Sequence, residues 1–540
     1  MPPYPSARTR PLVPVPEAAS PAPLRPAAPA VESVPAAVPA GWTSGLSRLL
    51  ELAVLIIAAE ALFSVPKLTW DLASGGAGRV GIAVGMVIAA VALALLWAGR
   101  HRIAARLHSM GDRLAAIPPR RWLASVIVAG LAVRIVWVLL FPAPFTSDGR
   151  SYFQLAARLA EGHAFQTPQG EWAAWPPGYP FLLLALFQIF GTGLTAVAVA
   201  NLLLFAGTLL VVYPLALRFG ERTARLATLL LALWPNLVAS AGVASKEPVI
   251  VFLLPALLLL YLRASERRAG GAAALSLAAG LMLGYATLTQ PGLMLLVGAF
   301  VIFEVLLRTP LLQATGRLAL LGLGMALVVL PWTWRNQQVL GAPVLVSTNG
   351  GSVFYRANNP LATGGWIEHG ERRLTGYDEL TQDRLGYQWG KEWIRENPGR
   401  FLLLSLKKQI LFLGDDATGL YEIKRVGRIG GGLYALTKLL TNAWWWAIWG
   451  LVLVAFLVRR STAWARRADV VLFLLTILYF WAIDSVFESG ARHHLPLVSV
   501  LAILAASAAA VPRFRNTALS DKPLPLLPAD GGEAGRRGPG

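Results

Sequence analysis

Long apolar stretches divide this chain, at residues 49–65, 80–98, 122–141, 194–217, 225–240, 249–262, 272–287, 293–307, 318–334, 444–458, 470–483 and 495–511. A hydrocarbon core takes about 20 residues of helix, so the pattern predicts an all-α polytopic membrane protein of about twelve transmembrane helices. The first stretch carries Glu51 and Glu60, and an unpaired carboxylate in hydrocarbon costs several kcal/mol. Glu60 and Glu304 are therefore expected to be buried against other helices. The run 177–190, "PGYPFLLLALFQIF", ends at "GTG" and is short for a span; it reads as an interfacial helix.

The polar punctuation sorts into two sets. Lys and Arg crowd 99–121, 218–225, 263–270, 307–317 and 459–468, which the positive-inside rule places in the cytoplasm. Counting 177–190 as a span would break that alternation. The other set, 142–193, 241–248, 288–292, 335–443 and 484–494, then faces outward and is rich in Asp, Glu, Gly, Asn and aromatics. The expected organisation is a disordered cytoplasmic tail at 1–45 and two extra helices with a basic loop at 46–121. A catalytic bundle follows at 122–334, then a small α/β or irregular outward cap at 335–443, C-terminal helices at 444–512 and a second disordered tail at 513–540. Within the cap, 399–414 reads as an amphipathic surface helix with Lys407 and Lys408 meeting lipid phosphates. Trp444, Trp445 and Trp446 read as an interfacial aromatic belt.

Composition agrees with the membrane reading: 540 residues, 56% hydrophobic and 14% charged, with a mean hydropathy of +0.56. A formal charge of +19 would suit nucleic acid in a soluble chain. Here the basic residues sit in short loops, so they set orientation and no nucleic-acid partner is expected. The lack of cysteine excludes disulfides, thiolate metal sites and thiol nucleophiles.

Several polar groups converge on the outward face. Asp148 stands in "FTSDGRSYFQLAARLAEG", Lys246 and Glu247 in "VASKEPV", Arg335 and Asn336 in "PWTWRNQQ", and Arg492, His493 and His494 in "FESGARHHLPL". Singly, each could be a charge snorkelling to water. Together, at helix ends on one side, they point to a site. Adjacent histidines at a helix start face different ways and no ligand-spaced acidic pair accompanies them, so no metal is expected. Asp415 and Asp416 in "LGDDATG" read as a solvated turn.

The motifs "TSDGRSYFQLAARLAEG", "WPPGYPFLLLALFQIFG", "PWTWRN", "STNGGSVFYRANNP" and "RHHLPLVSVLAILAA" together resemble the C superfamily of membrane glycosyltransferases, in the branch of protein O-mannosyltransferases and lipid A aminoarabinose transferases. The resemblance covers about 122–511. It implies an enzyme that takes a sugar from a polyprenyl-phosphate carrier on the outer face of a bacterial inner membrane and passes it to an acceptor hydroxyl of a lipid, glycan or protein, with inversion. Membrane lipids and that carrier would be its partners, and no cofactor is required. Asp148 matches the family's acidic residue of the first outer loop, its proposed base; Glu247 matches a second acidic motif more loosely.

The residue types suit that chemistry. A departing sugar phosphate needs positive charge more than a proton, and Lys246, Arg335, Arg492 and His493 are the candidates to meet it. An acceptor hydroxyl must lose its proton, and a carboxylate in reach contributes about 100- to 10,000-fold; Asp148 is the candidate base. A single base predicts inversion, while Glu247 leaves open a second carboxylate and retention. Arg150, Tyr152, Tyr355 and Asn358 are candidates for sugar or acceptor contact. The rival readings are an oligosaccharide polymerase or ligase, a secondary transporter with ionisable groups near mid-bilayer, and a non-catalytic scaffold.

Overall fold

The computed structural model describes residues 37–510, apart from 40, 77, 144, 268, 460 and 461. Most of both expected tails lies outside the described residues. The stretch 37–45 does not: Ala37 bridges Arg467 and the first helix already begins at Trp42.

Helices α1 (Trp42–Ser74) and α2 (Gly78–Ala115) form a hairpin, followed by α3 (Pro119–Leu140). Two short helices, α4 (Ser147–Ala160) and α5 (Gly178–Phe190), leave the end of α3. Next come α6 (Leu194–Leu217), α7 (Glu221–Ala232), α8 (Pro235–Ala239), α9 (Glu247–Glu266), α10 (Ala269–Thr289), α11 (Val297–Leu306) and α12 (Leu311–Leu340). Then α13 (Gly350–Ala357), α14 (Glu379–Glu396), α15 (Pro398–Gly414) and α16 (Thr418–Arg425) precede α17 (Gly431–Val458), α18 (Thr462–Ala465), α19 (Ala468–Val486) and α20 (Val498–Ala506). The α1–α2 hairpin packs on α17, and α1 also touches α15 and α19.

Among the described residues nine helices are long and apolar enough to cross a membrane, or ten if the bent pair Glu221–Ala232 and Pro235–Gly242 counts as one span. The sequence count of about twelve also took in 293–307 and 495–511. These are the shorter apolar pieces Pro291–Leu306 and Leu495–Ala510, each opened by a 3₁₀ turn. The bend of 46° between α7 and α8 has a local cause. Pro235 brings no N–H to the Leu231 carbonyl, and the buried Arg134 of α3 donates instead to the carbonyls of Ala232 (2.8 Å) and Leu231 (3.4 Å).

Two ends of the bundle are distinguished by their contacts. At one, the basic linkers gather: Arg222 meets Asp112, Arg218 pairs with Glu266 and with the buried Asp469, and Arg467 also holds Asp469 (2.7 Å). Glu304 is buried, bidentate to Arg317 (2.9 and 2.6 Å) and accepting from Tyr261 (2.7 Å), which fastens α9, α11 and α12 together. Glu60 is half-buried against Trp481. The α10–α12 crossing is close because of small residues: a Cβ on Gly280 would lie 2.3 Å from the Leu321 carbonyl oxygen, and one on Gly324 2.5 Å from that of Leu277.

At the other end the remaining loops meet. Asn201 of α6 donates to the carbonyls of Ala241 and Val243. Glu379 of α14 accepts from the backbone of Trp172 (2.7 Å) and Ala173 (3.0 Å) and from the Thr348 hydroxyl (2.7 Å). The segment expected to be an α/β or irregular cap holds, among its described residues, the helices α13–α16 and no strand, and both its flanks are helical because α12 runs on to Leu340 and α17 starts at Gly431. The Trp triplet lies within α17 and is engaged by protein rather than forming an exposed belt: Trp445 is fully buried and Trp446 donates to the Leu62 carbonyl (3.1 Å).

Candidate functional site

The stretch Thr146–Tyr152 builds the site. Helix α4 turns Tyr152, Leu155 and Ala156 inward and lies against α5, with Phe153 edge-on to Phe187 (5.3 Å). Its Gly149 answers a packing demand, since a Cβ there would sit 2.3 Å from the carbonyl oxygen of Ala244. Only with glycine can α4 press on the loop that carries Lys246 and Glu247. Ser147 adopts φ 47°, a left-handed conformation that costs a non-glycine residue about 1–3 kcal/mol and is concentrated at functional sites. Thr146, instead of capping α4, turns its hydroxyl to Glu422 of α16.

Asp148 Oδ2 accepts a 2.6 Å bond from Arg492 Nη1. The two side chains are 32% and 35% exposed, so water screens their attraction and the pair is open to a competitor. They share a cleft of about 610 Å³, part of it open to solvent, with Tyr152, Lys246, Glu247, Ser240, Thr418 and Glu422. Burial pushes the Asp148 carboxyl up, but the charges of Arg492, Lys246 and Arg356 outweigh it and hold the group below its ordinary range. Burial pushes the Lys246 ammonium down; Glu247, Asp148 and Glu488 pull the other way, and the net direction is down. Arg492 loses by burial and gains more from Asp148, Glu247 and Glu488, so it is held protonated more firmly than a free arginine. Tyr152 is raised by burial and then by Asp148 and Glu247, which keeps its hydroxyl a proton donor. The cleft thus offers an ionised carboxylate beside two cations: it can receive a proton and hold an anion.

Of the residues expected from sequence, Asp148, Glu247, Lys246, Arg492 and Tyr152 line this cleft. The others are placed elsewhere. Arg335 donates to the carbonyls of Trp172 (2.7 Å) and Phe165 (2.5 Å) and to Asn336 (3.0 Å), and lies over the Trp332 ring (4.7 Å); it braces the first loop. His493 pairs with the buried Asp484 (2.7 Å). Arg150 is exposed, with one long bond to Phe145 (3.4 Å). The Tyr355 hydroxyl accepts from the Arg372 backbone (2.8 Å), and Asn358 is buried between the Val486 carbonyl and Lys408.

Two further expectations are corrected. Lys407 is exposed, but Lys408 is fully buried and donates to Asn358 (3.0 Å) and the Val486 carbonyl (2.9 Å), because one helical step of 100° carries it to the inner face. Asp416 is not in a solvated turn: it is fully buried and accepts from Trp234 (2.8 Å) and Asn236 (2.5 Å), with His494 at 3.2 Å. Sequence reasoning missed Ser240, Thr418 and Glu422 of the cleft. Thr418 stands in "LGDDATG" and Glu422 just after it, and the polar density of that stretch between apolar runs was the available signal. Among the described residues no group of three or more His, Asp or Glu side chains is gathered as a metal site.

Residues 174–334, from the α5 approach through most of α12, match the family described as dolichyl-phosphate-mannose-protein mannosyltransferase. The membrane glycosyltransferase resemblance read from the motifs is borne out over that stretch. No curated protein matches the chain in sequence. Among solved structures, the oligosaccharyltransferase AglB from Archaeoglobus fulgidus, in complex with an inhibitory peptide and a dolichol-phosphate, is similar at 15% identity over 72% of this chain and 50% of its own, with a TM-score of 0.43. This chain spans about half the length of that relative. ArnT from Cupriavidus metallidurans, bound to undecaprenyl phosphate, aligns at 16% identity over 72% of this chain and 78% of its own, with a TM-score of 0.38.

Proposed function

We propose that this multi-pass membrane protein transfers a sugar from a polyprenyl-phosphate carrier to an acceptor hydroxyl at the outer face of the membrane. The observation that carries the reading is the Asp148–Arg492 pair in a cleft shared with Lys246 and Glu247, at the end of a bundle whose α5–α12 stretch matches a family described by its polyprenyl-linked sugar donor.

In the proposed step the acceptor O–H gives its proton to Asp148 while its oxygen bonds to the anomeric carbon. The carbon–oxygen bond to phosphate breaks on the opposite side, and the phosphate leaves with the electron pair. Lys246 and Arg492 offset the charge that gathers on it. Arg492 also keeps Asp148 ionised, ready to accept. One base and direct displacement give inversion. Glu247, buried beside Lys246, supports the field of the cleft.

The test is transfer from radiolabelled polyprenyl-phosphate sugars by wild type and Asp148→Asn. A loss of about 100-fold or more, with carrier binding kept, is expected. Because the Asp148 carboxyl sits below its ordinary range, wild-type transfer should show no acid limb from this group between about pH 5 and 8. Equal transfer by both proteins would overturn the assignment of Asp148 as base.

A further inference from the structure

The cleft has four sides, and three of them already have a part in the proposed step. Helix α4 brings Asp148, the loop after Ser240 brings Lys246 and Glu247, and the stretch before Leu495 brings Arg492. The fourth side is α16, which brings Thr418, Gly419 and Glu422 and supplies neither a cation nor the proposed base. Thr418 and Glu422 are four residues apart and share one face of that helix. Leu420 and Ile423 are buried behind them, while Tyr421, Lys424 and Arg425 are exposed. This wall is fixed. The Gly419 N–H donates to Asn236 Oδ1 (3.0 Å), and a Cβ on Gly419 would lie 2.6 Å from the Ser240 nitrogen, so α16 presses on the segment that leads to Lys246.

The polar groups on this wall have bonding capacity to spare. No side chain caps α16, and the buried hydroxyl of Thr418 has no hydrogen-bond partner among the described residues. A carboxylate has about four lone-pair sites, and that of Glu422 receives a single bond among the described residues, from Thr146. The other carboxylates of the cleft face cations: Asp148 pairs with Arg492 (2.6 Å), and Glu247 attracts the adjacent Lys246. Glu422 pairs with no cation among the described residues. An unmatched carboxylate weakens a cleft as an anion site, and an idle buried hydroxyl recovers none of its desolvation. A ligand rich in uncharged O–H groups offsets both. In a donor made of a lipid, a phosphate and a sugar, the sugar ring is that part, and it must lie in the cleft because its anomeric carbon reacts there.

We propose that Thr418 and Glu422 bind hydroxyl groups of the donor's sugar ring, and that Glu422 is the residue that decides which ring is held. The assignment rests on the carrier reading of the preceding section. Neighbouring ring hydroxyls give O–H bonds to the carboxylate and an acceptor to the threonine, and a site built to bond a hydroxyl rejects a ring that lacks one there. The test is equilibrium binding to the full chain in nanodiscs of undecaprenyl phosphate, bare or carrying glucose, its C2 epimer mannose or its C4 epimer galactose. Wild type should bind at least one sugar-bearing form more tightly than the bare carrier. Glu422→Gln should lose that gain, a fall of about 10-fold or more, and should bind the bare carrier as well as wild type or better, since a repelling charge is gone. The Gln amide oxygen still accepts from Thr146, so a Glu422 that only ties α4 to α16 leaves the gain unchanged, and that result would overturn the proposal. Thr418→Val removes a hydroxyl that bonds nothing, so its thermal midpoint should hold while the gain falls about 2- to 10-fold; a full gain in this variant counts against the wall even where the Gln variant fails to fold. A wild type that binds the bare carrier and gains nothing from any of the three sugars would overturn the sugar wall and leave the carrier reading standing. One that binds neither form would overturn the carrier reading and the proposal with it.

Discussion

Gly149→Ala separates packing from chemistry at the cleft. The new Cβ would stand 2.3 Å from the Ala244 carbonyl oxygen and 3.3 Å from its carbonyl carbon. Both atoms are backbone and cannot swing aside, so α4 must retreat by about 1 Å to recover an ordinary contact. Overpacking of this kind costs about 1–3 kcal/mol of stability. The same retreat draws Asp148 away from Lys246, and about 1 Å of misplacement costs about 100-fold in rate. The assay pairs a thermal midpoint in detergent with transfer from the labelled carrier, using Gln154→Ala, exposed on the same helix, as the control. A modest fall in midpoint with a loss of transfer near 100-fold is expected. Wild-type transfer by Gly149→Ala would refute the view that this contact sets the position of Asp148, the proposed base.

Ser147→Gly should stabilise the protein by about 1 kcal/mol, because glycine adopts the left-handed φ of 47° without strain; an unchanged or lower midpoint would contradict it. Asp416→Ala strips the acceptor from Trp234, Asn236 and His494 and should cost about 3–5 kcal/mol, read as a collapse of the midpoint. Lys408 gives a pH test. Burial pushes its ammonium down to about 7, with Asp484 opposing, while an unfolded lysine titrates near 10.4. Between these values the unfolded chain binds the extra proton, so stability should rise with pH, by about 2.3 kcal/mol from pH 7 to 9. Lys408→Met should lose that slope; parallel curves for the two proteins would count against it.

The spans were legible because their signal is local: a run of apolar residues states its own length. The same holds for the two sets of loops, since Arg222 meeting Asp112 and Arg218 meeting Asp469 gather the linkers that charge alone had grouped. The first loop was legible through "SDG", where an acid and a glycine are adjacent for separate reasons. The partners of a polar side chain were not legible. Arg335 stands in a motif that suggests phosphate, but its donors go to carbonyls in a loop well over a hundred positions earlier, and no local pattern announces that. Asp416 looked like a turn because Trp234 and Asn236, which bury it, lie far off in sequence at the α7–α8 bend. Short cap helices such as α13 and α16 hide for a related reason: eight residues hold barely two turns of periodicity.

The stretch after Gly490 sends three neighbouring side chains three ways. Arg492 goes to Asp148, His493 to Asp484 in α19, and His494 to the sealed pocket of Asp416, where it stacks on Trp445 at 4.1 Å. Spacing matters here as much as identity. A single-residue insertion or deletion in this stretch would hand an imidazole to the Asp148 carboxylate, or press a guanidinium into the tryptophan-lined interior, while leaving composition and hydropathy almost untouched. The segment behaves as a ruler, and related chains that keep this cleft should hold its length.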